Sequence, residues 1–245
     1  FINNEERWCL WLQNASPNEL RSMPEVMKRV EAVRQVRLKS TRDATRKLAS
    51  TPTLFGEIRH PESAYLLIPS VSSEKRNYIP IGIMPQEIIT SNLALLVPNA
   101  TLYHFGVLSS LLHMTWVKYV CGRLESRFRY SNTIVYNNFP WAESLTVAQK
   151  QAVERAAQAV LDARALFPQS SLADLYDPLT MPPALTKAHQ DLDRAVERCY
   201  HTGKALATEQ ERIALLFGLY ERYTAPLTAE AARLVGKAKK RGKTT

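Results

Sequence analysis

Three short stretches concentrate side chains able to read the edge of a nucleic-acid base: Ser72-Ser73-Glu74-Lys75-Arg76-Asn77-Tyr78, Thr90-Ser91-Asn92, and Arg123-Leu124-Glu125-Ser126-Arg127-Phe128-Arg129-Tyr130-Ser131-Asn132. Arg bridges guanine O6 and N7, Asn bridges adenine N6 and N7, and Glu accepts from cytosine N4 in the major groove. The same residue types make surface ion pairs and turns on any basic protein, so both roles stay open from the stretches alone. A second basic set, Lys39, Arg42 and Arg46 with Lys28, falls on one side of a predicted helix. It serves either phosphate contact, the sequence-independent part of DNA affinity, or a solvated face.

Catalytic patterns are missing. No glycine-rich turn follows a strand to receive S-adenosylmethionine, and no Walker loop, G-x-S-x-G elbow or H-E-x-x-H is present. No second carboxylate stands near Glu74 to share a magnesium ion. Asn137-Asn138-Phe139-Pro140-Trp141 superficially imitates the Asn-Pro-Pro-aromatic element of amino-methyltransferases, but without its first proline it reads as a strand end whose aromatics pack the domain. Cys9, Cys121 and Cys199 form no C-x-x-C pair, and His60, His104, His113, His189 and His201 show no ligand spacing, so structural roles are expected for all. His113 lies in an apolar helical pattern and is expected to pack or to make a local hydrogen bond.

Supporting elements follow from pattern. Residues 7–12 read as a strand. A long helix is expected from Pro24 to about Ser50, with Ser22 and Glu25 forming a capping box and with Val26, Val30, Val33, Ala44 and Leu48 on one stripe. Short apolar runs at 65–69, 78–83, 87–90 and 93–98, cut by Pro69, Pro80 and Pro98, predict a small sheet. Phe105, Leu108, Leu112, Trp116 and Tyr119 predict one helix over 102–121, stopped by Gly122, before a strand-like pattern at 129–139. Past Trp141 the composition turns to Ala, Gln, Leu and charge. Helices are expected at 146–166, 183–201 and 208–223, the last with Thr208 and Glu211 at capping-box spacing, forming a small bundle. The fold class is α+β over 1–143, followed by an all-α domain over 144–228 and a basic flexible tail over 229–245.

The 245 residues carry a net charge of +9 and start at Phe1, which reads as a basic piece of something longer. No apolar run approaches the roughly 18 to 20 residues that cross a bilayer, so no membrane partner is expected. The absence of a signal-like start and the odd cysteine number point to a reducing cytoplasm.

Five separated segments in order carry a resemblance: Phe1-Ile2-Asn3-Asn4-Glu5-Glu6-Arg7-Trp8-Cys9-Leu10-Trp11-Leu12, Ser72-Ser73-Glu74-Lys75-Arg76-Asn77-Tyr78-Ile79-Pro80-Ile81-Gly82, Cys121-Gly122-Arg123-Leu124-Glu125-Ser126-Arg127-Phe128-Arg129-Tyr130-Ser131, Tyr136-Asn137-Asn138-Phe139-Pro140-Trp141, and Leu172-Ala173-Asp174-Leu175-Tyr176-Asp177-Pro178. Over about residues 1–225 the chain resembles the C-terminal part of MmeI-like enzymes. These are single-chain restriction and modification proteins with an N-terminal nuclease, an adenine-N6 methyltransferase, a target-recognition domain and a helical end. The resemblance implies a non-catalytic DNA-reading region whose partners are double-stranded DNA and the upstream methyltransferase and nuclease domains of the same chain. S-adenosylmethionine and magnesium would belong to those upstream domains. It further implies base readout by Glu125 and Arg127, a pair suited to one C·G base pair, and by Asn92. Ser73, Glu74, Arg76, Arg123 and Arg129 match the family framework, with phosphate contact or internal support as their expected roles. The competing readings are a nucleic-acid-binding or scaffolding module that ignores sequence and a complete small methyltransferase, the latter opposed by the missing glycine turn.

Overall fold

The computed structural model describes residues 1–200, 203 and 205–241, with 227–241 described by backbone alone. His201 and the last residues of the basic tail, 242–245, lie outside the described residues. The chain divides into two compact units: Glu5–His60, and Phe1–Asn4 together with Pro61–Thr245.

In the smaller unit, α1 (Pro17–Ser22) is started by a reciprocal capping box that the pattern had not indicated: Ser16 Oγ accepts from Glu19 N–H and the Glu19 carboxylate accepts from Ser16 N–H at 2.7 Å. The expected cap, Ser22, is instead the last residue of α1, and α2 (Pro24–Leu38) follows Met23, whose side chain makes no capping bond. The single helix expected to reach Ser50 ends at Leu38. Ser40 Oγ accepts from Arg42 N–H, and Arg46 Nη1 donates to the Ser40 and Thr41 carbonyls, so local side-chain bonds replace the helical ladder there. The chain resumes as α3 (Asp43–Lys47) and a 3-10 turn (Leu48–Ser50), held by three donations from the Arg37 guanidinium to the carbonyls of Leu48, Thr51 and Leu54. Of the predicted apolar stripe only Val30 is buried; Val33 and Ala44 are exposed. Among the described residues no strand pairs with the segment 7–12, where a strand was expected. Trp11 packs beside Phe55 while Trp8 is 92% exposed.

The larger unit opens with two antiparallel three-stranded sheets. In the first, β1 (Tyr65–Pro69) lies between β3 (Gly82–Met84) and β4 (Ala94–Pro98), with Leu67 opposite both Gly82 and Leu96. In the second, β2 (Val71–Ser72) pairs with β6 (Arg127–Arg129), which pairs with β5 (Gly122–Leu124). The apolar run at 87–90 forms no strand. Its role is to close a turn, and the Tyr65 hydroxyl donates to the Ile88 carbonyl. Between β4 and β5 stand α4 (Leu102–Leu108) and α5 (Leu111–Val120), where one helix was expected. Ser110 breaks it, its hydroxyl accepting from His113 N–H to cap α5. Residues 129–139 depart from the strand pattern after Arg129: Tyr136 and Asn137 N–H donate five residues back, forming a π-helical turn at Asn132–Tyr136 around buried Val135.

The helical elements are α6 (Val147–Ala165), α7 (Leu172–Leu175), α8 (Pro183–Tyr200) and α9 (Glu209–Arg241). Thr208 and Glu211 form the predicted reciprocal cap. The basic segment from 229 continues α9 as far as Arg241. The change of composition near residue 143 is not a gap in packing. Phe105 and Val107 share one buried core with Val153, Val160, Leu192 and Leu216. The closest approach is at Gly106, where an added Cβ would sit 2.8 Å from Val153 Cγ1 and 3.2 Å from both Ala157 Cβ and Leu192 Cδ1. Only a residue without a side chain lets α4 meet α6 and α8 this closely.

Gly106→Val should therefore destabilise the larger unit by about 1–3 kcal/mol through overpacking. Because the core is shared, the urea-dependence curves of amide hydrogen exchange at 65–69 in the sheet and at 153–160 in α6 should shift together. Separate movement of the two curves would mean that the sheets and the helices have independent cores.

Candidate nucleic-acid interface

The β5–β6 hairpin is built on one buried side chain. Phe128, 2% exposed, faces the core, and strand alternation turns Arg127 and Arg129 to the opposite face, where both are exposed. Register places Leu124 across from Arg127 and Gly122 across from Arg129. Glu125 and Ser126 form the two-residue turn. Glu125 takes a φ of 57°, the left-handed conformation that the first central residue of such a turn requires. Holding a non-glycine residue there costs on the order of 1 kcal/mol. The carboxylate thus occupies a position where local stability alone would favour glycine.

Glu125 Oε2 accepts from Arg127 Nη2 at 2.7 Å, with the side chains 76% and 45% exposed. An ion pair this open contributes only about 0.2–1 kcal/mol, so it adds little to the fold. Chemically it offers an acceptor and a guanidinium side by side, matching the donor of cytosine N4 and the acceptors of the guanine paired with it.

Arg123, by contrast, lies on the Phe128 face. Its guanidinium carbon is 4.0 Å from the Phe128 ring centroid, and its Nη1 donates to the Ser126 carbonyl at 3.0 Å, closing the turn from behind. A shallow depression of about 410 Å³ on this side is lined by Glu74, Lys118, Tyr119, Arg123, Phe128 and Glu209, with Lys118 paired to Glu209 at 2.5 Å. Arg123 thus braces the turn, and Glu74 lines the same depression. Ser73 works locally, its hydroxyl accepting from Lys75 N–H and its carbonyl from Arg76 N–H. Arg76 is half-buried, and burial lowers its pKa against the opposing pull of Asp177. Arg129 shares the outward face of Arg127, where phosphate contact, one of the two roles expected of it, remains open.

Asn92 is exposed in the turn entering β4, distant in sequence from the hairpin, yet one residue ties the two. Ser70, between β1 and β2, donates from its N–H at 3.2 Å and its Oγ at 2.6 Å to the Leu93 carbonyl, and its own carbonyl accepts from Tyr130 N–H at 2.8 Å. The Asn92 turn and the end of the β5–β6 hairpin are therefore both bonded to one residue, Ser70. Nothing in the base-reader chemistry of the sequence indicated Ser70. The available signal was its place after Pro69, between two apolar runs.

Lys39, Arg42 and Arg46 belong to the smaller unit. Lys39 follows α2 and Arg42 precedes α3, both exposed, while Arg46 is engaged with Ser40, Thr41 and Asp43. The first two remain open to phosphate contact; Arg46 is largely committed to the turn.

His113 Nε2 lies 2.9 Å from the Tyr130 hydroxyl and edge-on to Phe139, at 4.7 Å between centroids. This is the local bond and packing expected of it. Phe139 and Trp141 also meet edge-to-face at 5.4 Å, and Asn138 Nδ2 donates to the Thr133 and Ile134 carbonyls, so the segment at 137–141 holds the π-helical turn. Cys9, Cys121 and Cys199 are free thiols. Among the described residues no group of three His, Cys, Asp or Glu is placed to hold a metal, and no helix is long and apolar enough to cross a membrane.

Burial pushes His113 down to about 3, and burial together with the Arg164 charge does the same to His189. A lowered folded-state pKa means that the unfolded chain takes up protons first, so this stability is present above about pH 6.5 and is lost as pH falls below it. Asp193, raised to about 6 by burial, acts in the opposite sense and recovers part of the loss. His113→Gln should remove one proton from the linkage, flattening the pH dependence of urea stability between about pH 5.5 and 4.5 by about 1.4 kcal/mol per pH unit. An unchanged slope would show that His113 is not buried in its neutral form.

Comparison with known proteins agrees in both halves. Residues 1–143 match the model of the MmeI target recognition domain, and residues 145–228 match the model of the MmeI C-terminal domain. DNA methyltransferase A of Bacillus subtilis (strain 168) is 41% identical over 224 residues, covering 91% of this chain and 25% of that protein. The solved type IIL restriction-modification enzyme MmeI in complex with DNA superposes with a TM-score of 0.88 at 50% identity, covering 92% of this chain and 30% of the other. The chain thus spans a quarter to a third of the length of these relatives.

Proposed function

Since the chain belongs to the MmeI family, we propose that it is the sequence-specific DNA-recognition module of a restriction-modification methyltransferase. The observation that carries this reading is the Glu125–Arg127 pair at the tip of the β5–β6 hairpin, bonded at 2.7 Å and open to solvent. A hairpin of this width enters the major groove, where a carboxylate and a guanidinium side by side can satisfy one C·G pair. Asn92, coupled to the hairpin through Ser70, reads a neighbouring pair. The exposed Lys39 and Arg42, with the net charge of +9, supply the phosphate attraction that orients the duplex without selecting its sequence.

In the complete protein the module would hold the duplex while upstream domains methylate adenine at N6, after rotating the target base out of the stack, and cleave the DNA. S-adenosylmethionine and magnesium serve those domains, so this module contributes site choice and no catalytic group. Cytoplasmic placement, with access to DNA and a reducing environment for the three free thiols, fits this role.

Enrichment of bound duplexes from a randomised pool tests the reading. The unaltered chain should recover a defined motif. Exchanging Glu125→Lys together with Arg127→Asp should change the preferred base pair at a single position, by about 1–3 kcal/mol of discrimination, and leave the others intact. Weakening spread evenly over all positions would assign the pair to phosphate contact or folding. A pool with no enrichment would point to binding that ignores sequence.

A further inference from the structure

A carboxylate in the helical half joins both supports of the reader sheet. Asp193, on α8 and 8% exposed, accepts from Leu111 N–H through Oδ1 and from the Tyr78 hydroxyl through Oδ2, each at 2.7 Å. Leu111 is the first residue of α5, whose last residue, Val120, leads through Cys121 directly into β5. Tyr78 follows the loop after β2, the strand that pairs with Arg129 and Phe128 of β6. One side chain therefore fixes the helix that delivers β5 and the segment that continues from β2.

The surroundings make this junction stiff. The Tyr78 ring stacks on His189 at 4.0 Å between centroids. The His189 Nε2 is 2.7 Å from the Tyr176 hydroxyl, which also receives Arg164 Nε at 2.8 Å, while Arg164 Nη1 donates to the Ile81 carbonyl at 2.7 Å. Because a guanidinium only donates, Tyr176 accepts from Arg164 and its hydroxyl donates a hydrogen bond to His189 Nε2. One turn beyond Asp193, Glu197 binds Arg212 of α9 at 2.7 Å, so the neighbouring carboxylate has its own cation. Asp193 is left to the backbone of α5 and the Tyr78 hydroxyl.

We propose that Asp193 is a positioning residue for base readout: through Leu111 and Tyr78 it sets where the β5–β6 hairpin stands, although it touches no base. This rests on the DNA-reading role proposed above. Ten residues of α5 span about 15 Å, and a rigid helix displaced at its start carries the shift to its end, where hydrogen bonds to base edges tolerate little misplacement.

The test compares Asp193→Ala, which removes both bonds, Tyr78→Phe, which removes one and retains the stacked ring, and Asp193→Asn, whose amide can keep both. Each is measured for binding to the enriched duplex and to the same duplex with the Glu125–Arg127 base pair exchanged, and for hydrogen exchange at residues 122–129. Asp193→Ala should cut the affinity ratio between the two duplexes about tenfold and Tyr78→Phe about threefold, with Asp193→Asn near the unaltered chain. Affinity for the exchanged duplex, carried by phosphate contacts, should stay within about twofold throughout. Hairpin amides should exchange faster in the first two variants alone. An equal loss on both duplexes, or unchanged hairpin exchange in Tyr78→Phe, would overturn the proposal. Absence of any preference in the unaltered chain would remove the DNA-reading role, and the positioning role with it, whereas hairpin exchange reports on the mechanical link by itself.

Discussion

At Ser70 the chain leaves one sheet and enters the other, and all three polar groups of the residue hold that corner. Its N–H and hydroxyl take the Leu93 carbonyl while its own carbonyl takes Tyr130 N–H. A corner between two short sheets exposes backbone groups that must find partners, and here each partner belongs to a segment bearing a candidate reader. The turn with Asn92 lies on one side and the strand with Arg127 and Arg129 on the other. Two candidate reading elements separated by some thirty residues are thereby held by one residue, which fixes the spacing between them.

The ion pair at the hairpin tip stands apart from the contacts that stabilise the chain. An exposed Glu–Arg contact and a left-handed Glu do little for folding, and the second works against it. The surface behind them is of the opposite kind: Phe128 is buried, Arg123 covers its ring, and Tyr130 bonds to buried His113. The exposed polar pair is thus carried on a support fixed by burial, and its weak mutual attraction adds little to that support. The shared core beneath, continuous from Phe105 to Leu216, makes the helical region part of that support.

Where sequence patterns depend on periodic burial, the chain was legible. The helices of the second half begin and end within a few residues of expectation in α6 and α8, because their apolar stripes face one core and Thr208 and Glu211 cap the next. Legibility fails where a local bond outweighs the pattern. Ser110 splits the helix expected over 102–121, Ser40 and Arg46 end the helix expected to reach Ser50, and the π-helical turn at Asn132–Tyr136 replaces an extended strand. The candidate site divides in the same way. The chemistry of Glu125, Arg127 and Asn92 can be read from residue type together with family resemblance, whereas Ser70 and Asp193 act through backbone atoms and distant partners that no spacing reveals. Arg129 illustrates the limit of pattern alone: the pattern starts a strand at Arg129, whereas the strand spans Arg127–Arg129 and alternation puts both arginines on one face.

The central claim, that this surface reads bases, is most directly examined by atomic substitution in the DNA. On the enriched duplex, each guanine would be replaced in turn by 7-deazaguanine, which keeps the base pair and the phosphates but lacks the N7 acceptor. The account predicts that binding falls about tenfold or more at the guanine facing Arg127, and that most other guanines tolerate the change. Equal binding at every substituted position would contradict it, leaving a surface held to DNA by its phosphates alone.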